Sequence, residues 1–305
     1  MKTLITGAGA SMDVCKAFKN GETLLNDIYK LISLNEEFRS QLQKDGYSLD
    51  VLNLFCDELN SFREYGHRKS IDEFIGELMT FPEYESLKRE HLIEIGKYCI
   101  IYSILIMEDA FLKSYNELNH KENWIDIFKK EFEGNGNYKI ITFNYDRLLE
   151  HLIFKSDSQT INHVYGTIRL KHWDFGRIPK SIKDFEKPDG KTHLGDFLIV
   201  NDRVKYPKSS GQIGFDHVAG QLQKWNGVIG FGFDFFNIRN VGLLNHAPGR
   251  KTYANLYDKN QIAVNFEDRR TKTDEVRRMV PDANFSYLSC IEFIKYFISL
   301  NDENS

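Results

Sequence analysis

Cysteine is scarce in this sequence, with four residues in a chain of 305. The four stand far apart, at Cys15, Cys56, Cys99 and Cys290, and none of them forms a C-x-x-C pair. This spacing argues against a structural zinc site, which needs ligands paired at short intervals. It also argues against a disulfide framework, because a chain of this length can rely on a hydrophobic core instead.

Long apolar runs are missing as well, and we expect no signal peptide. The longest apolar run, residues 98–107, is about half as long as a membrane-spanning helix. Met1 and Lys2 lead directly into an apolar strand, without the pattern of a signal peptide. The net charge of -4 and the pI near 6.2 give no indication of nucleic-acid binding. We therefore expect a cytoplasmic protein with no membrane contact and no direct nucleic-acid binding.

A glycine turn follows the first apolar stretch. Residues 2–6 read as a short strand, the next five residues are Gly7-Ala8-Gly9-Ala10-Ser11, and residues 12–19 are compatible with a helix. Strand, tight turn and helix form the unit that binds mononucleotides in parallel α/β proteins. The third glycine of G-x-G-x-x-G is absent, however. The turn alone therefore fits an ordinary βα connection as well as it fits a nucleotide site.

The rest of the chain alternates between helical and strand patterns. Apolar residues recur at helical spacing over residues 21–134, which predicts a large helical insertion or subdomain. Further strands are predicted at 138–143, 161–165, 227–231, 252–257 and 261–266, and helices at 147–154, 268–279 and 287–300. Residues 175–214 are predicted to form an irregular excursion. The sequence thus predicts one α/β domain over residues 1–305, with a Rossmann-like, mostly parallel sheet.

Three further segments carry polar residues or glycines at strand ends. Asn144 and Asp146 follow a predicted strand, where open parallel sheets place ligand contacts, although either residue could simply cap the next helix. His163 and Tyr165 share one face of a predicted strand that runs into Gly166. Later glycines could let backbone approach a ribose or serve close packing, at positions Gly230 and Gly232.

Taken in order, these four motifs resemble the sirtuin-related (SIR2-like) family, most closely its bacterial antiphage-defence branch. The resemblance covers residues 1–20 and 135–300. It implies that NAD is bound as a substrate, with the diphosphate held by the turn residues Gly7, Ala8, Gly9 and Ser11. It further implies that Asn144 orients the attacking water and the nicotinamide ribose, that Asp146 supports this pocket, and that Gly230 and Gly232 lie near the adenosine ribose.

The histidine segment departs from the family pattern, in which the catalytic histidine directly precedes glycine. Here Tyr165 precedes Gly166, so either His163 or Tyr165 would face the ribose. The resemblance implies His163 as the general base, since its unperturbed pKa lies near working pH.

The paired cysteines of the deacetylase zinc module are also absent, which shifts the expected activity from protein deacylation to hydrolysis of NAD itself. A zinc-free deacylase and a non-catalytic sensor of NAD or ADP-ribose remain the alternatives. Because constant NAD depletion would harm the cell, we expect its activity to be controlled. The resemblance suggests a switch by oligomerisation, by a nucleotide signal or by a partner, such as a sensor, ATPase or nucleotide-processing subunit.

Overall fold

The computed structural model divides the chain into two compact units. The sheet unit comprises Met1–Lys16, Tyr115–Tyr165 and Arg203–Ser305, and the helical unit comprises Ala17–Ser114 and Gly166–Asp202. The residues that the structure describes are 2–65, 70–80, 86–115, 121–135, 138–155, 160–164, 167–168, 173–185, 222–233, 238, 249–256 and 266–300.

Six parallel strands form the centre of the sheet unit. They are β1 (Lys2–Thr6), β2 (Tyr138–Thr142), β3 (Ile161–His163), β4 (Trp225–Ile229), β5 (Lys251–Asn255) and β6 (Ala283–Ser286). Their spatial order is β3-β2-β1-β4-β5-β6, and every neighbouring pair is parallel. The predicted α/β, Rossmann-like class with a parallel sheet is therefore confirmed.

The described residues contain nine α-helices and two shorter helical turns. The helices are α1 (Ala8–Val14), α2 (Gly21–Leu34), α3 (Glu36–Lys44), α4 (Leu49–Glu64), α5 (Ile71–Thr80), α6 (Ser86–Ser114), α7 (Trp124–Asn135), α8 (Phe266–Met279) and α9 (Cys290–Ser299). A π-helical turn covers Glu150–Phe154, and a 3-10 turn covers Ile182–Phe185. None of these described helices is long and apolar enough to cross a membrane.

The order of the strands sets where a ligand site is expected. β1 lies in the middle of the sheet. The strands that follow it in the chain are added first on one side, as β2 and β3, and then on the other side, as β4, β5 and β6. The connections that leave β1 and β3 therefore run in opposite directions, and they separate at the carboxyl end of β1. Thr6 pairs with Thr142 on one side and with Ile229 on the other, so these three strands end at the same level. Such a divergence point opens a crevice at the strand ends, which is the usual ligand site of open parallel sheets.

The core of the sheet unit is apolar and includes the buried cation Lys2. β1, β2 and β4 are buried almost throughout, since helices cover both faces of a parallel sheet. Gly227 leaves room for the Phe297 ring of α9, whose atoms would lie 2.9 Å from a Cβ at that position. Lys2 is 1% exposed and donates to the carbonyl oxygens of Phe297 and Ile298 at 2.8 and 2.7 Å. A cation at these last carbonyls of α9 is favoured by the helix dipole.

Side-chain caps begin the helices of the helical unit. Asn20, Asn35 and Ser48 accept hydrogen bonds from backbone amides in the first turns of α2, α3 and α4. The apolar residues at helical spacing in α2 are buried, as the sequence pattern predicts. Asp45 accepts from the Ser181 hydroxyl at 2.7 Å and from the Ile182 amide at 3.2 Å, which attaches the described segment 173–185 to this unit.

Several boundaries differ from those predicted. The first helix begins at Ala8 rather than Met12, because Gly7 is extended and lets the helix start directly after it. α7 lies in the sheet unit, although the sequence places it in the helical insertion. β6 falls in a stretch without a predicted strand. Of the strand predicted at 261–266, residues 261–265 lie outside the described residues and Phe266 begins α8.

Candidate functional site

Two glycine loops cross at the carboxyl ends of β1 and β4. The Gly7 amide donates to Ile229 O at 3.1 Å, and the Gly9 amide donates to Gly230 O at 2.9 Å. A Cβ at Gly7 would lie 2.5 Å from Gly230 O, and one at Gly230 would lie 1.9 Å from the Ala10 nitrogen. Gly230 also has a φ of 58°, in the left-handed region that favours glycine. These glycines are therefore needed for the close approach of the two backbones.

This crossing leaves few amides for a diphosphate. The amides of Gly7 and Gly9 are used by the β4 loop, and the Ala10 amide donates to Gly7 O at 2.9 Å. The expectation that Gly7 and Gly9 hold phosphate oxygens through their amides therefore does not fit the geometry. Among the residues described, the Ala8 amide donates to no acceptor.

Asn144 bridges the two loops that follow β1 and β2. Its Nδ2 donates to Gly7 O at 3.1 Å and to Ser11 Oγ at 2.8 Å, and its own amide donates to Thr142 Oγ1. Because a carbonyl oxygen can only accept, the contact with Gly7 O fixes which end of the carboxamide is nitrogen. Oδ1 therefore points away from Gly7. The residue is 8% exposed, and Oδ1 accepts no hydrogen bond from the described part of the chain.

Two other buried asparagines in the sheet unit are bonded differently. Asn226 accepts from the Gln223 amide and donates to the Gln223 carbonyl, so both ends of its carboxamide are paired. Asn255 donates to Leu288 O and accepts from the Ser286 hydroxyl. Native proteins pair nearly all buried polar groups, so these two asparagines need no ligand to satisfy their carboxamides. Asn144 differs from them in having a buried acceptor that a bound molecule could use.

Ser11 and Asp146 extend the network from Asn144. The Ser11 hydroxyl accepts from Asn144 and donates to Asp146 Oδ1 at 3.1 Å, and Ser11 is 4% exposed. Asp146 Oδ1 also accepts from the Leu148 amide at 3.2 Å. Asp146 therefore caps the following helical turn and also holds the Ser11 hydroxyl to which Asn144 donates. The Ser11 hydroxyl is used within this network, where the resemblance implies a phosphate contact.

The His163 ring contacts the Asn144 main chain, and both of its nitrogens have a partner. Nδ1 contacts Asn144 O at 2.8 Å, and Nε2 makes a very short contact with Glu150 Oε1. The side chains of His163 and Glu150 are 7% and 6% exposed. The structure therefore brings the two predicted catalytic residues together, with the His163 ring against the main chain of Asn144 rather than its carboxamide.

The charge on His163 is set by two opposing effects. Burial favours the neutral ring, but the Glu150 carboxylate and its hydrogen bond outweigh burial and raise the pKa of His163 above its ordinary value of 6.5. The Asn144 carbonyl and the charge of Asp146 act in the same direction. The His163 ring is therefore protonated more readily than a free imidazole.

Glu150 is a site residue that the sequence analysis missed. It is 5% exposed, and its second oxygen, Oε2, is buried without a hydrogen-bond partner among the described residues. It begins the π-helical turn Glu150–Phe154, an irregularity that is frequent at functional sites. The available signal was an acidic residue within an apolar helical pattern, four positions after Asp146.

The remaining predicted positions differ in what they contribute. Gly232 is exposed, and a Cβ there would meet no atom of the described chain within 4 Å. The Phe231 ring beside it packs against Phe143, with ring centroids 4.8 Å apart, so apolar surface borders the glycine crossing. Tyr165 and Gly166 lie outside the described residues. Within the part of the chain that is described, no three His, Cys, Asp or Glu side chains form a group that could hold a metal ion.

No model of a known protein family matches the chain, and no curated protein matches its sequence. The fold and the residues at the crossing of the β1 and β4 loops are therefore the basis for a functional proposal.

Proposed function

We propose that this chain hydrolyses NAD at the bond between nicotinamide and ribose. The observation that carries the proposal is the buried, unpaired Oδ1 of Asn144, held in place at the divergence point of a parallel sheet. Dinucleotides bind at such points in other Rossmann-like proteins. We propose NAD rather than another dinucleotide because four motifs resemble, in the same order, those of the sirtuin-related family. They lie around Gly7, Asn144, His163 and Gly230.

The chemistry needs little beyond positioning and electrostatics. The C–N bond breaks with its electron pair leaving on nicotinamide, the water oxygen bonds to the anomeric carbon of the ribose, and the proton that water loses passes to solvent, so that water and NAD⁺ give nicotinamide, ADP-ribose and one proton. The leaving group is already cationic and becomes neutral, so no general acid is required. Positive charge develops on the sugar, and fixed dipoles aimed at that charge lower the barrier.

Asn144 is suited to this task. Its Nδ2 is anchored twice, by Gly7 O and Ser11 Oγ, so Oδ1 has a fixed direction before any ligand binds. A fixed acceptor can take a hydrogen bond from a ribose hydroxyl or from the attacking water, and its partial negative charge favours the cationic sugar. The free Ala8 amide, at the start of the same loop, is the donor we assign to a phosphate oxygen.

Replacing Asn144 by alanine tests the proposal. We expect Asn144→Ala to lower kcat for nicotinamide release by about 100-fold or more, because the oriented acceptor is lost. Asn226→Ala is the matched control, since it removes a buried carboxamide that is paired at both ends within the protein. The folded fraction of both variants is measured by circular dichroism. Equal turnover in wild type and Asn144→Ala would refute the site.

A second function is favoured by the pairing of His163. With both ring nitrogens engaged, His163 is not free to take a proton from water or ribose, as a general base must. If cleavage requires a base at this position, the chain binds NAD or ADP-ribose as a sensor without cleaving it. Calorimetric binding of NAD without nicotinamide release, including in the presence of products of neighbouring genes, would support this function over hydrolysis.

The resemblance also motivates a biological role. We propose a regulated antiphage-defence effector in the cytoplasm that depletes NAD when activated, acting as a homo-oligomer or with a sensor, ATPase or nucleotide-processing partner. Cellular NAD measured during phage infection tests this role. An equal NAD content in infected cells carrying the wild type or Asn144→Ala would contradict it.

A further inference from the structure

The structure brings together two buried ionisable groups whose function differs from the catalytic base expected at position 163. We propose that Glu150 and His163 form a positioning pair that holds the Asn144 main chain, and that His163 takes no proton from the substrate or water. This inference rests on the proposed function in assigning Asn144 to the substrate. The pairing itself, however, can be tested without any turnover.

The hydrogen-bond partners fix where the proton of the ring lies. Asn144 O can only accept, so His163 Nδ1 must carry a hydrogen at 2.8 Å from that oxygen. Nε2 then faces Glu150 Oε1, and one proton lies between them, on the ring or on the carboxyl group. In both arrangements Nδ1 remains a donor. The contact with Asn144 is therefore kept whichever partner holds the proton.

The charged groups around the ring maintain this state. Glu150 on the π-helical turn and Asp146 in the loop after β2 both favour the protonated ring. From α7, Lys129 donates to Leu152 O at 3.1 Å and so binds the backbone of the turn that carries Glu150. A general base has to lose and gain its proton during turnover, whereas this ring is buried between fixed acceptors.

The pair acts on the site through the Asn144 backbone. The Asn144 carbonyl accepts from His163, and the Asn144 amide donates to Thr142 Oγ1, so both main-chain polar groups of this residue are held. The carboxamide is held separately by Gly7 O and Ser11. A displacement of about 1 Å in a reacting group can lower a rate about 100-fold. His163 can therefore be essential for turnover solely because it holds the main chain of Asn144 in place.

Two substitutions at position 163 separate positioning from base catalysis. In His163→Asn, the carboxamide nitrogen can occupy the place of Nδ1 and donate to Asn144 O, but it cannot accept a proton near neutral pH. His163→Leu keeps the volume and lacks the donor. We expect kcat within about tenfold of wild type for His163→Asn, a loss of about 100-fold for His163→Leu, and similar KM values for all three.

The dependence of kcat on pH distinguishes a positioning role of His163 from a role as general base. If His163 only positions Asn144, kcat of the wild type and of His163→Asn should depend on pH in the same way. An acid limb that is present in the wild type and absent in His163→Asn would overturn the proposal. So would equal loss of kcat in His163→Asn and His163→Leu when both are folded by circular dichroism.

Nitrogen-15 NMR of the imidazole tests the pair in a chain with or without activity. We expect Nδ1 of His163 to stay protonated from about pH 5 to about pH 9, and to lose this preference in Glu150→Leu. An unprotonated Nδ1 in the wild type at neutral pH would overturn the proposal. If Nδ1 is protonated but the wild type neither binds nor cleaves NAD, the pair stands and the proposed function fails.

Discussion

Gly230→Ala should unfold the crossing of the β1 and β4 loops. A Cβ at this position would lie 1.9 Å from the Ala10 nitrogen and 2.5 Å from the Gly9 carbonyl carbon, which are backbone atoms that cannot rotate away. The backbone of Gly230 is left-handed, with φ at 58°, and this costs a non-glycine residue about 1 to 2 kcal/mol. Separating the loops also breaks the Gly9 N–Gly230 O hydrogen bond, at about 1 kcal/mol, and strains the bond next to it.

These two costs give an expected loss of about 2 to 3 kcal/mol, a large part of the roughly 5 to 15 kcal/mol by which folded proteins are stable. Unfolding in urea measures it. Trp124 is a suitable fluorescent reporter, because its indole donates to Ala10 O at 2.9 Å and it is 1% exposed. Gly232→Ala is the control, with open space around the new methyl group and an expected change within about 0.5 kcal/mol. A loss below about 1 kcal/mol for Gly230→Ala would refute the steric argument.

Three further changes have defined outcomes. Lys2→Met removes both hydrogen bonds to the end of α9 and should cost about 2 kcal/mol in urea unfolding; an unchanged midpoint would contradict this. The pKa of His163 is raised on folding, so its stabilising contribution relative to His163→Asn should be complete below about pH 6.5 and lost as pH rises through the folded-state pKa. Asp45→Ala releases Ser181 and Ile182 and should speed proteolysis within residues 173–185 roughly tenfold, whereas unchanged cleavage would argue against this anchor.

The sequence predicts those helices and strands whose own residues carry a recognisable pattern, such as an apolar run or a helix cap. β1 and β2 are short buried apolar runs, and α9 begins with a Ser289 capping box, so each has its own signal. β6 has no such signal, because its four residues at the sheet edge are only partly buried and do not form an apolar run. The sequence does not predict the early start of α1, because small residues and glycines after a strand are typical of a turn, although alanine is the strongest helix former.

The sequence predicts which residues lie at the strand ends, but not which of them contact each other in the site. Asn144 follows an apolar strand, and the structure places it beside Gly7 and Ser11, as parallel pairing requires. The pairing of Glu150 with His163 is a tertiary contact between a helical turn and a strand, so neither local pattern indicates it. The same is true of the Gly7–Gly230 crossing. A glycine written in the sequence shows that backbone could approach, but it does not say whether protein or ligand does so.

The order of the strands has a consequence for how the chain acquires its structure during synthesis. β1 lies between β2 and β4, so the strand Lys2–Thr6 leaves the ribosome long before Tyr138–Thr142 and Trp225–Ile229, its only described neighbours, have been made. Helices within Ala17–Ser114 need only nearby residues and can form during that interval. In pulse-labelled hydrogen exchange, we expect the amides of α2 and α4 to become protected before those of β1. The strand that anchors the candidate site would then be among the last elements to be secured, and a chain interrupted before β4 could not form the glycine crossing.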